Sequence, residues 1–377
     1  MHPFYTAEHE AFRETVRRFV TLEIEPDVAT WEEQGQFPRD LYEKAADLGL
    51  LGLGFPAEHG GIEADLFFHI LAFQELARCG AGGVVSGLMS HTIGLPPVVN
   101  GGSEALKARV LPDVLSGRKI SALAITEPGC GSDVAAIRTT ARRDRDHYIV
   151  NGTKTFITSG IRADVLTVAV RTGGDGREGI SVLVIDGDTP GLQRTPLKKM
   201  GWWCSDTATL YFENCRVPTA NLCGAEGAGF ALLAQNFNTE RISLAASAIA
   251  FARVCLEEAV EYARERQTFG HRLIDHQVIR HKLADMAMRI NASQAQLEML
   301  AWRARDHQDV VAEICLLKNQ ASQTLEFCAR EGVQIFGGAG YLRGPKVERI
   351  YREVRVNAIG GGAEEIMREL AARRLGW

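Results

Sequence analysis

The sequence predicts an α+β protein whose three domains follow in the order helical, β and helical. This prediction rests on how the pattern changes along the 377 residues. Helical periodicity extends to about residue 117, short β-branched runs follow at 118–225, and long apolar helical periods fill 226–377. No long helix separates the β-branched runs, so we expect an antiparallel sheet or barrel in the middle domain. The C-terminal domain is predicted to be a four-helix bundle.

The N-terminal domain, residues 1–117, is predicted to be built from helices. Apolar residues recur on one face of its first segment, with acids and arginines between them: Phe12, Val16, Phe19 and Val20. Pro38 stands where a further helix begins, and Gly49 stands where that helix ends. Residues 63–79 and 103–116 show the same helical period.

The middle domain, residues 118–225, is predicted to consist of short strands separated by turns such as Asn151-Gly152 and Pro190-Gly191. The strands are predicted at residues 120–126, 148–150, 165–171, 180–185 and 209–212. In the C-terminal domain, residues 226–377, helices are predicted at 229–265, 275–304, 309–336 and 345–356. A final helix follows, with Glu364 and Glu365 in its first turn.

Composition and charge exclude several classes of protein. Apolar residues make up 46% of the chain and the net charge is −5, which is not the basic footprint of a nucleic-acid-binding protein. Arginines near the C-terminus alternate with glutamates at helical spacing, which predicts a salt-bridged helix surface. No apolar run is long enough to span a bilayer, and the first residues, Met1 to Phe4, show no signal peptide. We therefore expect a cytoplasmic protein.

The spacing of cysteine and histidine predicts no metal site. The eight cysteines include no Cys-x-x-Cys pair, which is typical of reduced packing residues in a cytosolic protein. His271, His276 and His281 recur every five residues, so they do not stack on one helix face as two ligands would.

Three segments are candidates for a functional site, and each has a plain structural alternative. Residues 124–133, AITEPGCGSD, end a predicted strand in a loop whose glycines let backbone amides approach a ligand, although a hairpin turn has the same composition. Residues 334–341, QIFGGAGY, follow a helix rather than a strand, which fails the dinucleotide fingerprint and fits a helix C-cap. The apolar helix near residues 232–252 contains Asn236, Asn238, Glu240 and Arg241. Buried charges there need a partner or a function, and a structural ion pair is the alternative.

Together with three further segments, these motifs resemble the acyl-CoA dehydrogenase family over essentially the whole chain. The family's two signatures correspond to residues 124–136 and 334–353. Between them lie FITSG at 156–160, CSDT at 204–207 and RERQTFG at 264–270, in matching order and approximate spacing. One departure is Gly344, where the second signature usually has an acid or an amide, and we interpret it as a small loop difference.

The resemblance implies FAD as the cofactor. Ile125, Thr126, Gly131 and Ser132 would line the flavin, and Phe156 and Thr158 would flank its ring. The remaining implied contacts are Arg266, Thr268, Phe269, His276, Gln277, Gln334, Gly337, Gly338, Ala363 and Glu365. Arg266, Thr268 and Phe269 would bind the pyrophosphate and adenine of a neighbouring subunit's FAD, so a homo-oligomer is expected, most simply a tetramer formed as a dimer of dimers. Where the family often has Trp, Phe156 keeps an aromatic wall and loses the indole N–H.

The position of the catalytic base departs from the commonest pattern of the family. Most members carry a glutamate after the second signature, where this chain has Gly361. Isovaleryl-CoA and long-chain acyl-CoA dehydrogenases, which the chain resembles better, place the base on the buried helix, here Glu240 beside Arg241. Glu364 and Glu365 are competitors in sequence, but acids in a first helical turn commonly serve the helix dipole.

The resemblance further implies the reaction and its partners. Ser132, Ser205, Asn238 and Arg241 would contact an acyl-CoA substrate, and the Gly361 amide would bind the thioester carbonyl oxygen. The expected product is the trans-2-enoyl-CoA, with electrons passed to an electron-transferring flavoprotein, as in fatty acid β-oxidation. Gly361 and Ala363 leave space for a branched or long acyl chain. Trp202 and Trp203 either border the cleft or pack the β region.

Two rival functions remain open from the sequence. A flavin-dependent oxidase or monooxygenase on the same fold would usually lack a base at both positions, and Glu240 argues against it. A non-catalytic acyl-CoA-binding protein would have lost the FAD-binding residues, which this chain keeps.

Overall fold

The structure is a computed structural model that describes residues 4–306 and 308–377. The prediction about a signal peptide depends on residues 1–3, which lie outside the described part. The fold class is confirmed: an N-terminal helical region, a β-sheet region and a C-terminal helical region follow one another along the chain.

The N-terminal region is helical, and polar residues cap its longer helices. Thr6, Asp65 and Ser103 accept hydrogen bonds from first-turn amides of the helices that begin at Ala7, Leu66 and Glu104. Short polar side chains stabilise a helix start in this way. The helices of the region are α1 (Ala7–Phe19), α2 (Val28–Gln34), α3 (Asp40–Asp47), α4 (Leu66–Ala77), α5 (Gly82–Leu88), α6 (His91–Gly94), α7 (Pro96–Gly101) and α8 (Glu104–Leu115).

The helices predicted at residues 63–79 and 103–116 are confirmed as α4 and α8. Helices α5 to α7 were not predicted, because each has at most seven residues and contains glycine or proline. Such short segments show no helical period of their own, so their helical form depends on packing against the sheet and the later helices.

The middle region forms one eight-stranded sheet. Its strands are β1 (Ser121–Ala124), β2 (Thr140–Asp144), β3 (His147–Thr158), β4 (Val165–Arg171), β5 (Ile180–Asp186), β6 (Leu192–Pro196), β7 (Thr207–Pro218) and β8 (Leu222–Cys223). They lie in the order β6-β7-β3-β2-β4-β5-β8, with β1 paired to β4. Strands β4 and β5 match their predicted positions closely, whereas β2 and β6 were missed because both are mostly polar and exposed.

The prediction of an antiparallel sheet holds for most strand pairs and is wrong for two. Strand β1 runs parallel to β4, with Ser121 opposite Val165, and β2 meets β4 in parallel at Thr140 and Arg171. A parallel pair needs a long connection, and here the loop after β1 and the β2–β3 hairpin supply it in place of a helix. The prediction that Asn151-Gly152 ends a strand is also wrong, since β3 continues through a bulge there with φ of 149° at Gly152.

The C-terminal region is a helical bundle in which α9 is central. α4 from the N-terminal region packs against α9 in the main hydrophobic core, joining the two helical regions. The elements are α9 (Gly229–Glu265), β9 (Gln267–Thr268), β10 (His271–Arg272), α10 (Gln277–Arg305), α11 (Val311–Phe336), α12 (Lys346–Glu353) and α13 (Glu364–Leu375). Helix α12 ends earlier than predicted, because the chain tightens into a 3₁₀ turn over Val354–Ala358.

Two other expectations, the salt-bridged helix surface and the buried, unpaired cysteines, are confirmed for the described residues. Arg352, Arg368 and Arg373 each pair with a glutamate four residues earlier, which is the predicted salt-bridged helix surface. All eight cysteines are free and buried. Within residues 4–306 and 308–377 no cluster of His, Cys, Asp or Glu could hold a metal ion, and no helix is long and apolar enough to cross a bilayer.

Candidate active site

Glu240 points into a cavity of about 330 Å³ that lies between α9 and the N-terminal helices. α9 is continuous through this point, so the carboxylate projects from a rigid helix. The side chain lies deep in the protein, yet it keeps some accessible surface because it faces the cavity. Such a carboxylate can contact a molecule bound in the cavity.

The electrostatic environment of Glu240 favours a basic carboxylate. Burial raises the pKa of Glu240, and the positive charges of Arg241 and Lys318 only partly oppose this effect. No ion pair or hydrogen bond to Glu240 occurs among the described residues. A carboxylate without a partner, in a dry site, binds a proton more readily than one in water.

Position 361 lies next to the carboxylate of Glu240. A Cβ atom built on Gly361 would lie 3.7 Å from Glu240 Oε1. A side chain at position 361 would therefore begin next to the Glu240 carboxylate. The same Cβ would lie only 2.3 Å from Leu244 Cδ1, so Leu244 fills the space that the glycine leaves. The expectation that Gly361 opens room for a larger acyl chain therefore does not hold at this position.

The backbone of Gly361 offers a free donor beside the carboxylate. Its amide N–H has no hydrogen-bond partner among the described residues, and its φ of 65° turns the chain there. Lys318 Nζ donates to the carbonyl oxygen of Gly362 at 2.7 Å, and this hydrogen bond holds the turn in place. Burial lowers the pKa of Lys318 to about 8, although Glu364 and Glu240 favour its charged form.

The competing acids near Gly361 are placed differently. Glu364 and Glu365 lie in the first turn of α13, as predicted. The Glu364 carboxylate bonds Arg368 Nη2 at 2.8 Å and Gln323 at 3.3 Å, and Glu365 is exposed. Neither carboxylate lines the cavity of Glu240.

The residues expected to contact the CoA portion lie on three segments: α9, the loop after β1 and the loop before β7. Arg241 is buried, its Nη1 donates to Asn238 Oδ1 at 3.2 Å, and its Nε atom is buried without a partner. Ser205 is buried and its hydroxyl makes only a long hydrogen bond to Asp206, whereas Ser132 is exposed. Arg241 therefore retains hydrogen-bonding capacity for a polar ligand group.

The glycine-containing loop after β1 is held by a buried ion pair that the sequence reasoning missed. Lys154 Nζ donates to Ile125 O and to Glu127 Oε1, both at 2.8 Å, and Glu127 also accepts the amides of Arg138 and Thr139. Burial lowers the pKa of Lys154 to about 8. Burial by itself would raise the pKa of Glu127, but Lys154 and the two amides outweigh that effect, so the pKa of Glu127 is lowered. A lysine inside an apolar strand was the available signal.

This pair positions the residues that were expected to bind the flavin. Thr155 N donates to Thr126 O at 2.8 Å, so the loop lies against β3. A register shift between Lys154 and Ile157 turns Phe156 outward, and this residue is 68% exposed. Its backbone adopts a left-handed conformation with φ of 59°. A left-handed aromatic residue is strained, and such strain is typical of ligand sites.

A second group of expected cofactor residues lies at the far end of α9. Arg266 follows that helix, Thr268 Oγ1 bonds His276 Nε2 at 3.0 Å, and Phe269 is 94% exposed. Tyr262 stacks on Phe336 at 4.2 Å, which brings the turn containing Gln334, Gly337 and Gly338 to the same end of the bundle. Along a continuous helix, Arg266 is about 39 Å from Glu240 at about 1.5 Å per residue.

Each of the two groups has the chemistry to hold one part of an FAD molecule. Gly129, Gly131, Gly337 and Gly338 face open space, so a polar ligand such as a pyrophosphate can approach the backbone closely at these positions. The aromatic ring of Phe156 stands exposed next to the polar loop. Ala363 and Glu365 adjoin the Gly361 turn at the start of α13.

Trp202 and Trp203 pack at the junction of the three regions. Trp203 lies under the guanidinium of Arg352 at 3.7 Å and that of Arg343 at 4.6 Å. The Trp202 amide donates to Glu353, and neither tryptophan lines the cavity of Glu240. Of the two alternatives, packing is therefore the observed role.

Comparison with known protein families accounts for nearly the whole chain. Residues 6–118 match the acyl-CoA dehydrogenase N-terminal domain, residues 122–215 the middle domain, and residues 227–376 the C-terminal domain. An acyl-CoA dehydrogenase of Bacillus subtilis (strain 168) is 38% identical over 98% of this chain and 98% of its own length. The mitochondrial long-chain specific acyl-CoA dehydrogenase of Sus scrofa is 35% identical, covering 98% of this chain and 87% of that protein.

Solved structures show the same likeness in three dimensions. The acyl-CoA dehydrogenase of Geobacillus kaustophilus superposes with a TM-score of 0.96 at 35% identity, covering 100% of both chains. A glutaryl-CoA dehydrogenase of Mycobacterium smegmatis, solved in complex with FADH2, superposes with a TM-score of 0.93 at 27% identity, covering 99% of this chain and 95% of that chain.

Proposed function

This chain belongs to the acyl-CoA dehydrogenase family, and from that membership we propose that it uses FAD to oxidise an acyl-CoA thioester to the trans-2-enoyl-CoA. One observation carries the proposal more than any other. The unpaired carboxylate of Glu240 lines a cavity, and the unpaired amide belongs to Gly361, whose Cβ position lies 3.7 Å from that carboxylate. A base and an oxyanion donor at one place are what α-proton removal next to a thioester requires.

The protein's own groups perform the proton chemistry. The Gly361 N–H donates to the thioester carbonyl oxygen and stabilises the negative charge that develops there. Glu240 accepts the α-proton on a carboxylate oxygen, and its raised pKa makes it a stronger base than a hydrated glutamate. Bound FAD supplies the acceptor for the hydride that leaves the β carbon, so the protein's role toward the redox step is orientation.

The cofactor is proposed to be shared between subunits. The loop after β1, with Ile125, Thr126, Gly131 and Ser132, would hold the flavin near Glu240, together with Phe156 and Thr158. Arg266, Thr268, Phe269, His276 and Gln277 lie too far along α9 to serve the same cofactor, and Gln334, Gly337 and Gly338 lie at that same far end. This separation supports binding of a neighbouring subunit's FAD and a homo-oligomer, which we propose to be a dimer of dimers.

The electron acceptor is proposed to be an electron-transferring flavoprotein. Glu240 lies in a cavity between α9 and the N-terminal helices, and a site that closes around its substrate protects a reduced cofactor from oxygen. We place the reaction in cytoplasmic fatty acid breakdown of the β-oxidation type. Rapid release of peroxide during turnover would identify an oxidase instead.

The decisive experiment substitutes Glu240 by Gln in the FAD-loaded enzyme. The change keeps the shape of the side chain and removes its basicity, so kcat should fall at least ~10²-fold with a dye acceptor. FAD content and binding of an acyl-CoA should remain, because glutamine has nearly the same shape as glutamate. The exposed neighbour Gln235, changed to Glu, is the matched control and should leave kcat unchanged. Reduction of the flavin by octanoyl-CoA at the wild-type rate in Glu240→Gln would place the base elsewhere.

A further inference from the structure

The cavity beyond Glu240 is lined on several sides by polar side chains. Half of its lining residues are polar, and besides Glu240 they are His69, Thr92, Asn100, Asn236, Thr239 and Ser243. Binding sites for hydrocarbon groups are lined predominantly by apolar side chains, with few polar groups that fix orientation. A simple alkyl chain would therefore meet an unusual share of polar surface in this cavity.

The polar residues of α9 form one stripe that includes the base. Asn236, Thr239 and Ser243 recur at intervals of three and four residues, so they share a helix face with Glu240. The stripe is about 10 Å long at 1.5 Å per residue, and Asn236 lies about 6 Å along the axis from Glu240. A substrate whose α carbon meets Glu240 would carry its acyl chain past these side chains.

Several hydrogen-bonding atoms of the residues that line the cavity have no partner within the described part of the chain. The Asn236 amide nitrogen donates to Thr92 O at 3.1 Å, and its carbonyl oxygen makes no such bond. The Thr239 hydroxyl also makes none. The His69 Nδ1 atom is buried without a partner. Burial lowers the pKa of His69, so the ring is neutral and presents one donor and one acceptor.

The opposite wall is shaped to admit His69. Gly54 adopts φ of 73°, and a Cβ atom at this position would lie 2.6 Å from His69 Nε2. Any other residue at 54 would collide with the imidazole, so the backbone at Gly54 makes room for the ring. The histidine faces the α9 stripe across the cavity from α4.

An alkyl chain in this cavity would remove the Asn236 carbonyl oxygen and the Thr239 hydroxyl from water and leave them without hydrogen bonds, which is costly. An oxygen atom on the acyl chain would supply the missing partners. The lining contains no lysine or arginine, so a second carboxylate on the substrate would find no cation there. The chemistry of the wall therefore fits a neutral oxygen function.

We propose that the preferred substrate is an acyl-CoA whose chain carries a neutral hydroxyl or carbonyl group beyond the β carbon, bound between Asn236, Thr239 and His69. This inference rests on the proposed dehydrogenation and goes further by naming the substrate class. No redox step is added, because the oxygen function takes part only in binding.

The test compares octanoyl-CoA with its 5-hydroxy, 6-hydroxy and 6-oxo derivatives, using purified FAD-loaded enzyme and a dye acceptor. At least one derivative should exceed octanoyl-CoA about tenfold in kcat/KM, since one or two hydrogen bonds are gained. Asn236→Leu should reduce this preference about tenfold, whereas Gln235→Leu, the same kind of change on the exposed face, should keep it. Thr239→Val is a second, nearly isosteric variant if Asn236→Leu loses FAD.

Two failures of this experiment are distinguishable. If octanoyl-CoA reacts as well as or better than every derivative, the dehydrogenase function stands and the substrate inference is wrong. If no thioester in the set reduces the flavin, the proposed function fails and the inference fails with it. Calorimetric binding of the same thioesters to Glu240→Gln gives the preference without turnover and should show the same ranking.

Discussion

Two buried lysines, one in the sheet and one in the helical bundle, differ in whether they form an ion pair with a carboxylate. Lys154 and Lys318 each donate to a backbone carbonyl, that of Ile125 at 2.8 Å and that of Gly362 at 2.7 Å. Burial lowers the pKa of both to about 8. Lys154 also pairs with a carboxylate, Glu127 at 2.8 Å, whereas Lys318 only influences Glu240 from beyond ion-pair distance.

The difference separates a structural carboxylate from a reactive one. Glu127 has a lysine and two backbone amides as partners, and its pKa is lowered despite burial. Glu240 has no partner, and burial raises its pKa. In the first case the lysine fixes a loop that is proposed to hold the cofactor. In the second it fixes the turn at Gly361 while leaving the base free to accept a proton.

The largest effect is expected when the paired lysine is removed. Lys154→Met leaves Glu127 buried without its cation, so the free energy of unfolding should fall by about 3–5 kcal/mol. Urea denaturation followed by tryptophan fluorescence measures this change, and FAD retention should fall with it. The double variant Lys154→Met/Glu127→Gln should recover part of the loss, because no uncompensated charge remains. A loss below about 1 kcal/mol would contradict a structural role for the pair.

The second prediction moves the unpaired carboxylate to the other position that faces the same point. Glu240→Gly should reduce kcat at least ~10²-fold, and adding Gly361→Glu should restore about tenfold of that loss. Recovery is partial because position 361 has φ of 65° and Leu244 Cδ1 occupies part of the space. Stopped-flow reduction of the flavin measures both variants. If the double variant binds FAD and thioester but recovers nothing, the two positions do not share a proton acceptor site.

The smallest effect concerns the lysine that does not touch its carboxylate. Lys318→Met should lower kcat about fivefold, since one hydrogen bond to the Gly361 turn is lost. Dehydrogenation needs ionised Glu240, so activity is lost as pH falls through the raised pKa of that group. Without the Lys318 cation this acidic limb should move to higher pH, because Arg241 alone would then oppose the effect of burial.

The pH–rate profile of flavin reduction checks this shift. The groups that act on Lys318 are Glu364 on α13, Glu240 and Arg241 on α9 and Cys315 on its own helix, and all remain in the variant. Gln320→Met, an exposed change on the same helix, is the control and should leave the profile unchanged. An unchanged acidic limb in Lys318→Met would show that this lysine does not tune Glu240.

Much of the fold followed from local pattern. The long helices α9, α10 and α11 and the buried strands β4 and β5 have periods that are readable in the sequence, and each was located within a few residues. The short helices α5 to α7, the polar strands β2 and β6, and the continuation of β3 through Gly152 were not located. Their form depends on partners distant in sequence, which a local pattern does not contain.

The candidate site divides in the same way. The sequence by itself determined the α, β, α order, the family resemblance and the residue types at 240 and 361. Only the tertiary structure showed that a Cβ at Gly361 would lie 3.7 Å from Glu240, that Leu244 fills the space there, and that Lys154 and Lys318 are buried. The sheet's two parallel pairings belong to the same category. Distances between residues far apart in the chain, and the loss of water that shifts a pKa, arise only when separate elements pack together.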